Sequence, residues 1–161
     1  MTEIKRPKWE ISNLVIKETE EALRSKESEV FVLWVGPIKK PKDKNVVTSG
    51  LVPFQDTHRG TEGNYVHVSG DELRRIAFAN YERDERSVAQ VHSHPGKNTT
   101  ISSLDRRWAV ADHQGALSII VPDYGKNGMR DLFGLSIYEK EGSNWRLWNK
   151  RETKRRFRMV S

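Results

Sequence analysis

The chain has 161 residues, the length of one domain, and its 35% hydrophobic content, with five Trp and five Phe, excludes a disordered polymer. No apolar run approaches the ~20 residues that a membrane helix needs, and the start, MTEIKRPKWE, lacks the apolar stretch of a signal peptide, so the expected compartment is the cytoplasm. Cysteine is absent, which excludes thiol nucleophiles and thiolate zinc sites and leaves His and carboxylates to hold any metal.

In chain order, residues 12–27 read as a helix, with Ser12 as N-cap and Ile11, Val15, Ala22 and Leu23 in an apolar stripe. From Glu29 to Gly36 the apolar residues run without a break and stop at Gly-Pro, the mark of a strand covered on both faces. A polar loop over 37–45 leads to a strand over 46–54, and a second loop, Gln55 to Asn64, leads to a short strand, Tyr65–Val68. Ser69-Gly-Asp-Glu72 is a capping box opening a helix over Glu72–Arg83.

The next strand is Ser87–His94, stopped by Pro95-Gly96, and a helix is expected from about Ser102 to His113. Ala116–Val121 and Leu132–Tyr138 read as strands, and Trp145–Trp148 as a last edge strand. This order predicts an α/β fold, a mixed β-sheet flanked by helices. The net charge of +6 is carried by residues 146–161, with seven Lys or Arg against one Glu, and 1–145 are neutral. One folded unit over 1–148 followed by a solvated basic tail over 149–161 is therefore expected, and charge confined to a terminus argues against nucleic acid as partner.

Chemistry concentrates at the end of the Ser87–His94 strand. Side chains two apart on a strand point the same way, so His92 and His94 can reach one metal ion. Asp105 lies in the first turn of the helix that Ser102 opens, and the turn-rich link Pro95–Ile101 can fold it back beside the strand end. Two His and one Asp make a three-ligand face with a position left for water. The Ser102–Asp105 spacing is also a plain capping pattern, and the two roles are compatible. His58, His67 and His113 stand in loop-like or exposed settings and are expected to be incidental.

His92-Ser-His94-Pro95 followed by Ser102-x-x-Asp105 resembles the JAMM (JAB/MPN+) zinc metalloprotease motif. The run from Glu29 to Gly36 resembles the upstream ExxGxLxG element of that family, with Val32 standing where many relatives have Gly and Glu27 as the alternative register. The resemblance spans roughly Ile11 to Tyr138. It implies a JAMM/MPN, cytidine-deaminase-like fold, Zn²⁺ on His92, His94 and Asp105, Glu29 as general base and Ser102 as oxyanion donor. It further implies hydrolysis of the bond after the C-terminal Gly of a ubiquitin-like protein, by a prokaryotic JAB-domain deubiquitinase-like enzyme such as those encoded in conjugation or antiphage defence operons. Without cysteine, a second zinc for linkage selection is not expected. The alternatives are a relative that frees a sulfur-carrier protein from its cargo, an Fe(II) oxygenase on the same ligands, and a non-enzymatic scaffold or DNA-binding module with a basic docking tail. Partner recognition would fall to the loops 37–45, 55–64 and 122–131.

Overall fold

A computed structural model of the chain describes residues 6–60, 63–107, 109–130 and 134–161. Strand β1 (Lys8–Ser12) runs into helix α1 (Asn13–Leu23), whose start is closed by Ser12 Oγ accepting the Val15 amide at 3.1 Å. Then come β2 (Phe31–Pro37), β3 (Lys44–Val47), β4 (Ser49–Leu51) and a hairpin of β5 (Asp56–Gly60) and β6 (Gly63–His67). Helix α2 (Gly70–Glu82) follows, with Ser69 at its cap, and leads to the long strand β7 (Glu85–Ser93). The chain closes with α3 (Ser103–Arg107), β8 (Leu117–Val121), β9 (Ser136–Glu141), β10 (Asn144–Leu147), α4 (Lys150–Arg156) and β11 (Phe157–Val160).

The main sheet has six strands in the order β10-β9-β8-β7-β2-β4, in which β7 and β8 run parallel and the other neighbours antiparallel. A second sheet, β11-β1-β3, is parallel throughout. Strand β2 explains the unbroken apolar run. Val32 and Trp34 join Val15, Ile16 and Leu23 of α1 on one face, while Phe31 and Leu33 join Ile76 of α2 and Val68, which precedes that helix, on the other. The expected mixed sheet between helices is what forms, and no helix among the described residues is long and apolar enough to cross a membrane.

Three expectations are corrected. The strand over 46–54 is two short strands in different sheets, because the chain crosses from β1 to β2 between Val47 and Ser49. The loop over 55–64 is largely the β5–β6 hairpin, with 61 and 62 outside the described residues. Of the expected strand Leu132–Tyr138, residues 132 and 133 lie outside them too, and the strand extends on to Glu141.

The basic tail departs most from expectation. Instead of a solvated arm, 149–161 form α4 and β11, and Phe157 is buried opposite Trp9 in the second sheet. Arg156 is 2% exposed. It donates to both carboxylate oxygens of Glu139 at 2.8 and 3.0 Å, to Glu152 at 2.8 Å and to the Pro7 carbonyl at 2.9 Å, and it lies over the Trp148 ring. Arg146 grips Glu152 from the other side at 2.7 and 2.8 Å. The hydrogen bonds from Arg146 and then Arg156 outweigh burial and pull the Glu152 carboxyl down to about 2. The segment looked like a tail because its outward side chains, Arg151, Lys154, Arg155 and Arg158, are cationic and dominate its composition.

Deleting 149–161 is therefore expected to abolish cooperative unfolding, and Arg156→Ala to cost on the order of 3–5 kcal/mol by leaving buried carboxylates unpaired. Because the Glu152 pKa is depressed in the folded state, its contribution is present above the unfolded carboxylate range and is lost as pH falls toward about 2. Urea titrations from pH 7 to 2.5 check both statements. An Arg156→Ala protein as stable as wild type would overturn them.

Candidate metal centre

Strand β7 lies inside the sheet, with β2 on one side and β8 on the other, and its C-terminal end carries the ligands. His92 sits opposite Phe31 of β2 and Ile120 of β8. His94 lies one residue past the strand, and its backbone continues the extended course by donating to the Val121 carbonyl and accepting from the Tyr124 amide, each at 2.9 Å. The strand's twofold alternation places both imidazoles on one side, as expected.

Asp105 comes from α3. Ser102 Oγ accepts the Asp105 amide at 3.0 Å, and the Ser102 amide donates to Asp105 Oδ2 at 2.9 Å, a reciprocal capping box. The helix is shorter than the expected 102–113: it ends at Arg107, and residue 108 is outside the described residues. One turn suffices to mount the carboxylate. Beyond it, Gln90 Oε1 accepts the amides of Val110 at 2.8 Å and Ala111 at 3.2 Å, and so ties the chain after α3 back to β7.

The donor atoms converge, each imidazole Nε2 facing the other and one of the two Asp105 oxygens. His92 Nε2 and His94 Nε2 are 3.2 Å apart, His92 Nε2 lies 3.3 Å from Asp105 Oδ1, and His94 Nε2 lies 3.2 Å from Asp105 Oδ2. Tetrahedral coordination with bonds of ~2.0 Å puts ligand atoms ~3.3 Å apart, so the two imidazole nitrogens have the spacing of two ligands on one zinc-type ion, with the Asp105 carboxylate set against both. Among the described residues, no other group of His, Cys or carboxylates converges in this way. The tautomer fits as well: His94 Nδ1 lies 2.9 Å from the Asn98 carbonyl, which only an N–H can satisfy, so in the neutral imidazole the lone pair is on Nε2, the atom that faces His92 and Asp105.

Electrostatics agree with the geometry. Burial pushes the Asp105 carboxyl up, but the imidazoles of His92 and His94 in their protonated form, together with the Ser102 amide, outweigh it and hold it well below the usual carboxylate range. Burial lowers His94, and the bonds to Asp105 and Asn98 reverse the sign and raise it. Burial raises Glu29, with the two imidazoles opposing. Glu29 is buried, and it lines a cavity of about 20 Å³ together with Tyr65, His92 and Asp105, room for about one water. Glu27, the alternative, is exposed. Ser102 is exposed, and its hydroxyl, which accepts the Asp105 amide, keeps a hydrogen for donation.

The five expected residues thus divide into three converging candidate ligands, a buried carboxylate beside them and the exposed hydroxyl that caps the helix of Asp105. His58 and His67 lie on the β5–β6 hairpin, ring centroids 5.7 Å apart, and neither they nor His113 joins the ligand group. Sequence reasoning passed over Asn98 and Gln90. The Asn98 contribution is a backbone carbonyl, which any residue carries. Gln90 did leave a signal, as the one amide inside the apolar run before His92.

In sequence, 119 residues, 73% of the chain, align at 33% identity with 70% of the probable metalloprotease y4jG of Sinorhizobium fredii. In structure, protein DSY2949 from Desulfitobacterium hafniense, solved in solution, shares the fold with a TM-score of 0.61 at 14% identity, over 94% of this chain and 92% of that one. No family model matches the chain. Purified protein is expected to carry about one divalent metal ion, and His92→Ala, His94→Ala and Asp105→Ala each to lose it. Elemental analysis of the four proteins checks this; unchanged metal content in all three variants would refute the site.

Proposed function

The chain belongs to the metalloprotease family of its Sinorhizobium relative, and from that premise we propose that it is a zinc peptidase of the JAMM type, with His92, His94 and Asp105 as ligands, Glu29 as general base and Ser102 as oxyanion donor. The observation that carries the assignment is the convergence of the two Nε2 atoms, 3.2 Å apart, on the Asp105 carboxylate, with buried Glu29 beside them. When bound, zinc supplies a Lewis acid that lowers the pKa of water to about 7 and polarises the scissile carbonyl.

The protein's own groups do the rest. The Asn98 carbonyl, accepting from His94 Nδ1, and the Ser102 amide, donating to Asp105, keep two of the three ligands aimed at one point. Glu29, with a pKa raised by burial, accepts the proton of the attacking water and returns it to the leaving amine, for which a carboxylate titrating nearer neutrality is better matched. The Ser102 hydroxyl donates to the oxygen that gains charge as the carbonyl becomes tetrahedral. As substrate we propose the peptide or isopeptide bond after the C-terminal Gly of a ubiquitin-like protein, on the strength of the motif resemblance.

Glu29→Gln is expected to retain metal and lose a factor on the order of 10²–10⁴ in kcat, while Glu27→Ala is nearly silent. Ser102→Ala should lower both stability and kcat, and Ser102→Asp should restore the cap but not the donor. Steady-state kinetics on a ubiquitin-like C-terminal aminocoumarin amide, with metal analysis and melts in parallel, separate these roles. Full turnover by Glu29→Gln would end the base assignment, and full activity in a restabilised Ser102→Asp would leave Ser102 a cap only. Cleavage of a sulfur-carrier fusion with no cleavage of ubiquitin-like conjugates would reassign the substrate.

A further inference from the structure

Strand β2 is held along most of its length by β4 and β7, but Phe31 lies beyond the end of β4. The β2–β4 pairs are Val35↔Ser49, Trp34↔Gly50 and Leu33↔Leu51. Carried on at the same register, the ladder would put Pro53 opposite Phe31. Proline has no N–H, so it cannot donate to the Phe31 carbonyl, and the ladder stops there.

A side chain takes over. Gln55 Oε1 accepts the Phe31 amide at 2.8 Å, and Gln55 Nε2 donates to the Phe31 carbonyl at 2.9 Å and to the Pro53 carbonyl at 2.9 Å. One carboxamide thus supplies the donor and acceptor of a missing strand residue. Its own loop is anchored by the Phe54 amide, which donates to the Glu72 carboxylate in the first turn of α2. From the opposite side, Ser93, between the two histidines, accepts the Val30 amide on Oγ at 3.1 Å and donates its own amide to the Val30 carbonyl at 3.2 Å. The two residues that follow Glu29 are therefore gripped from both flanks, and Phe31 is itself paired with His92.

We propose that Gln55 is a positioning residue: by standing in for the strand partner that Pro53 cannot provide, it fixes the backbone after Glu29 and so the distance of that carboxylate from the three ligands. This rests on Glu29 acting as the base. Without Gln55 the outward peptide groups of Phe31 lose both partners, and the start of β2 is held by β7 alone. Small displacements of a proton-transfer group carry large rate effects, so kcat should fall by roughly tenfold or more while KM and bound metal hold.

The test uses Gln55→Met, which keeps length and apolar stem but removes both hydrogen-bonding atoms, and the same change with Pro53→Ala, which gives the backbone opposite Phe31 an N–H. Two quantities are read: amide exchange at Phe31 by NMR, and kcat on the aminocoumarin amide. The expectation is a slow Phe31 amide in wild type, fast exchange and low kcat in Gln55→Met, and recovery of both in the double variant. A wild-type kcat in Gln55→Met overturns the proposal, as does a Phe31 amide restored without kcat. Should Gln55→Met fail to fold, the wild-type amide still decides, since exchange there as fast as in an open loop contradicts the clamp. Glu29→Gln serves as the control. If it is fully active, the base assignment falls while the exchange data still judge the clamp; if it is inactive, a kcat loss in Gln55→Met is attributable to position.

Discussion

The antiparallel pairing of β2 with β7, with Phe31 opposite His92, is the constraint on which the site depends. Two segments more than 50 residues apart in sequence supply its parts, one the carboxylate and the other both imidazoles. A strand's side chains alternate between faces, so a slip of one residue in this register would carry the ligands away from Glu29. Several devices guard against that slip. Side chains of β2 are sorted onto α1 and α2, Ser93 locks Val30, and Gln55 closes the edge where the ladder ends. The site is therefore a product of sheet register more than of loop conformation.

Charge balance distinguishes two ionic clusters among the described residues. Around Glu139, Glu141 and Glu152, the guanidiniums of Arg6, Arg146 and Arg156 meet the three carboxylates, so the cluster is balanced as it stands and serves to fasten the C-terminal segment. Around Asp105 the composition differs. Among the described residues its ion-pair partners are the two imidazoles, and no lysine or arginine is among them, although buried Glu29 lies beside it. The two Nε2 atoms, 3.2 Å apart, both lie against the Asp105 carboxylate, a set of donors that one cation could share. The first cluster is satisfied by the protein alone, whereas the second has the charge and geometry of a metal site.

What could be read from the sequence was whatever lay on a periodic element. The spacing of His92 and His94 on a strand, the Ser102–Asp105 box and the doubly buried run before Gly36 each follow from a local repeat. The missed features depend on partners remote in sequence. Arg156 and Glu152 stand four apart on α4 and could have been paired on paper, but their burial requires Glu139 and Pro7, which no local pattern indicates. The β5–β6 hairpin was hidden by its polar composition, and α3 was overestimated because the apolar residues Ala109–Ala111 resemble a helical stripe while Gln90 draws their backbone elsewhere. Gln55 makes its contacts with backbone atoms 24 residues earlier and looks like any polar loop residue.

The Glu29–Gly36 run shows how structure decides which positions of a motif are essential. A β-carbon at Gly36 would fall within contact distance of the Val46 carbonyl oxygen, because β3 crosses closely there, so backbone against backbone leaves no room and only glycine fits. At position 32 the constraint is different. Val32 is 1% exposed and sits in the cluster of α1, β7 and β8 side chains, where a side chain fills space that would otherwise be a cavity. Val32 therefore adds apolar burial to β2, the strand that Glu29 leads into. The two positions are thus not equivalent: the one against a carbonyl is restricted to glycine by sterics, and the one against side chains takes a residue that the facing core accommodates.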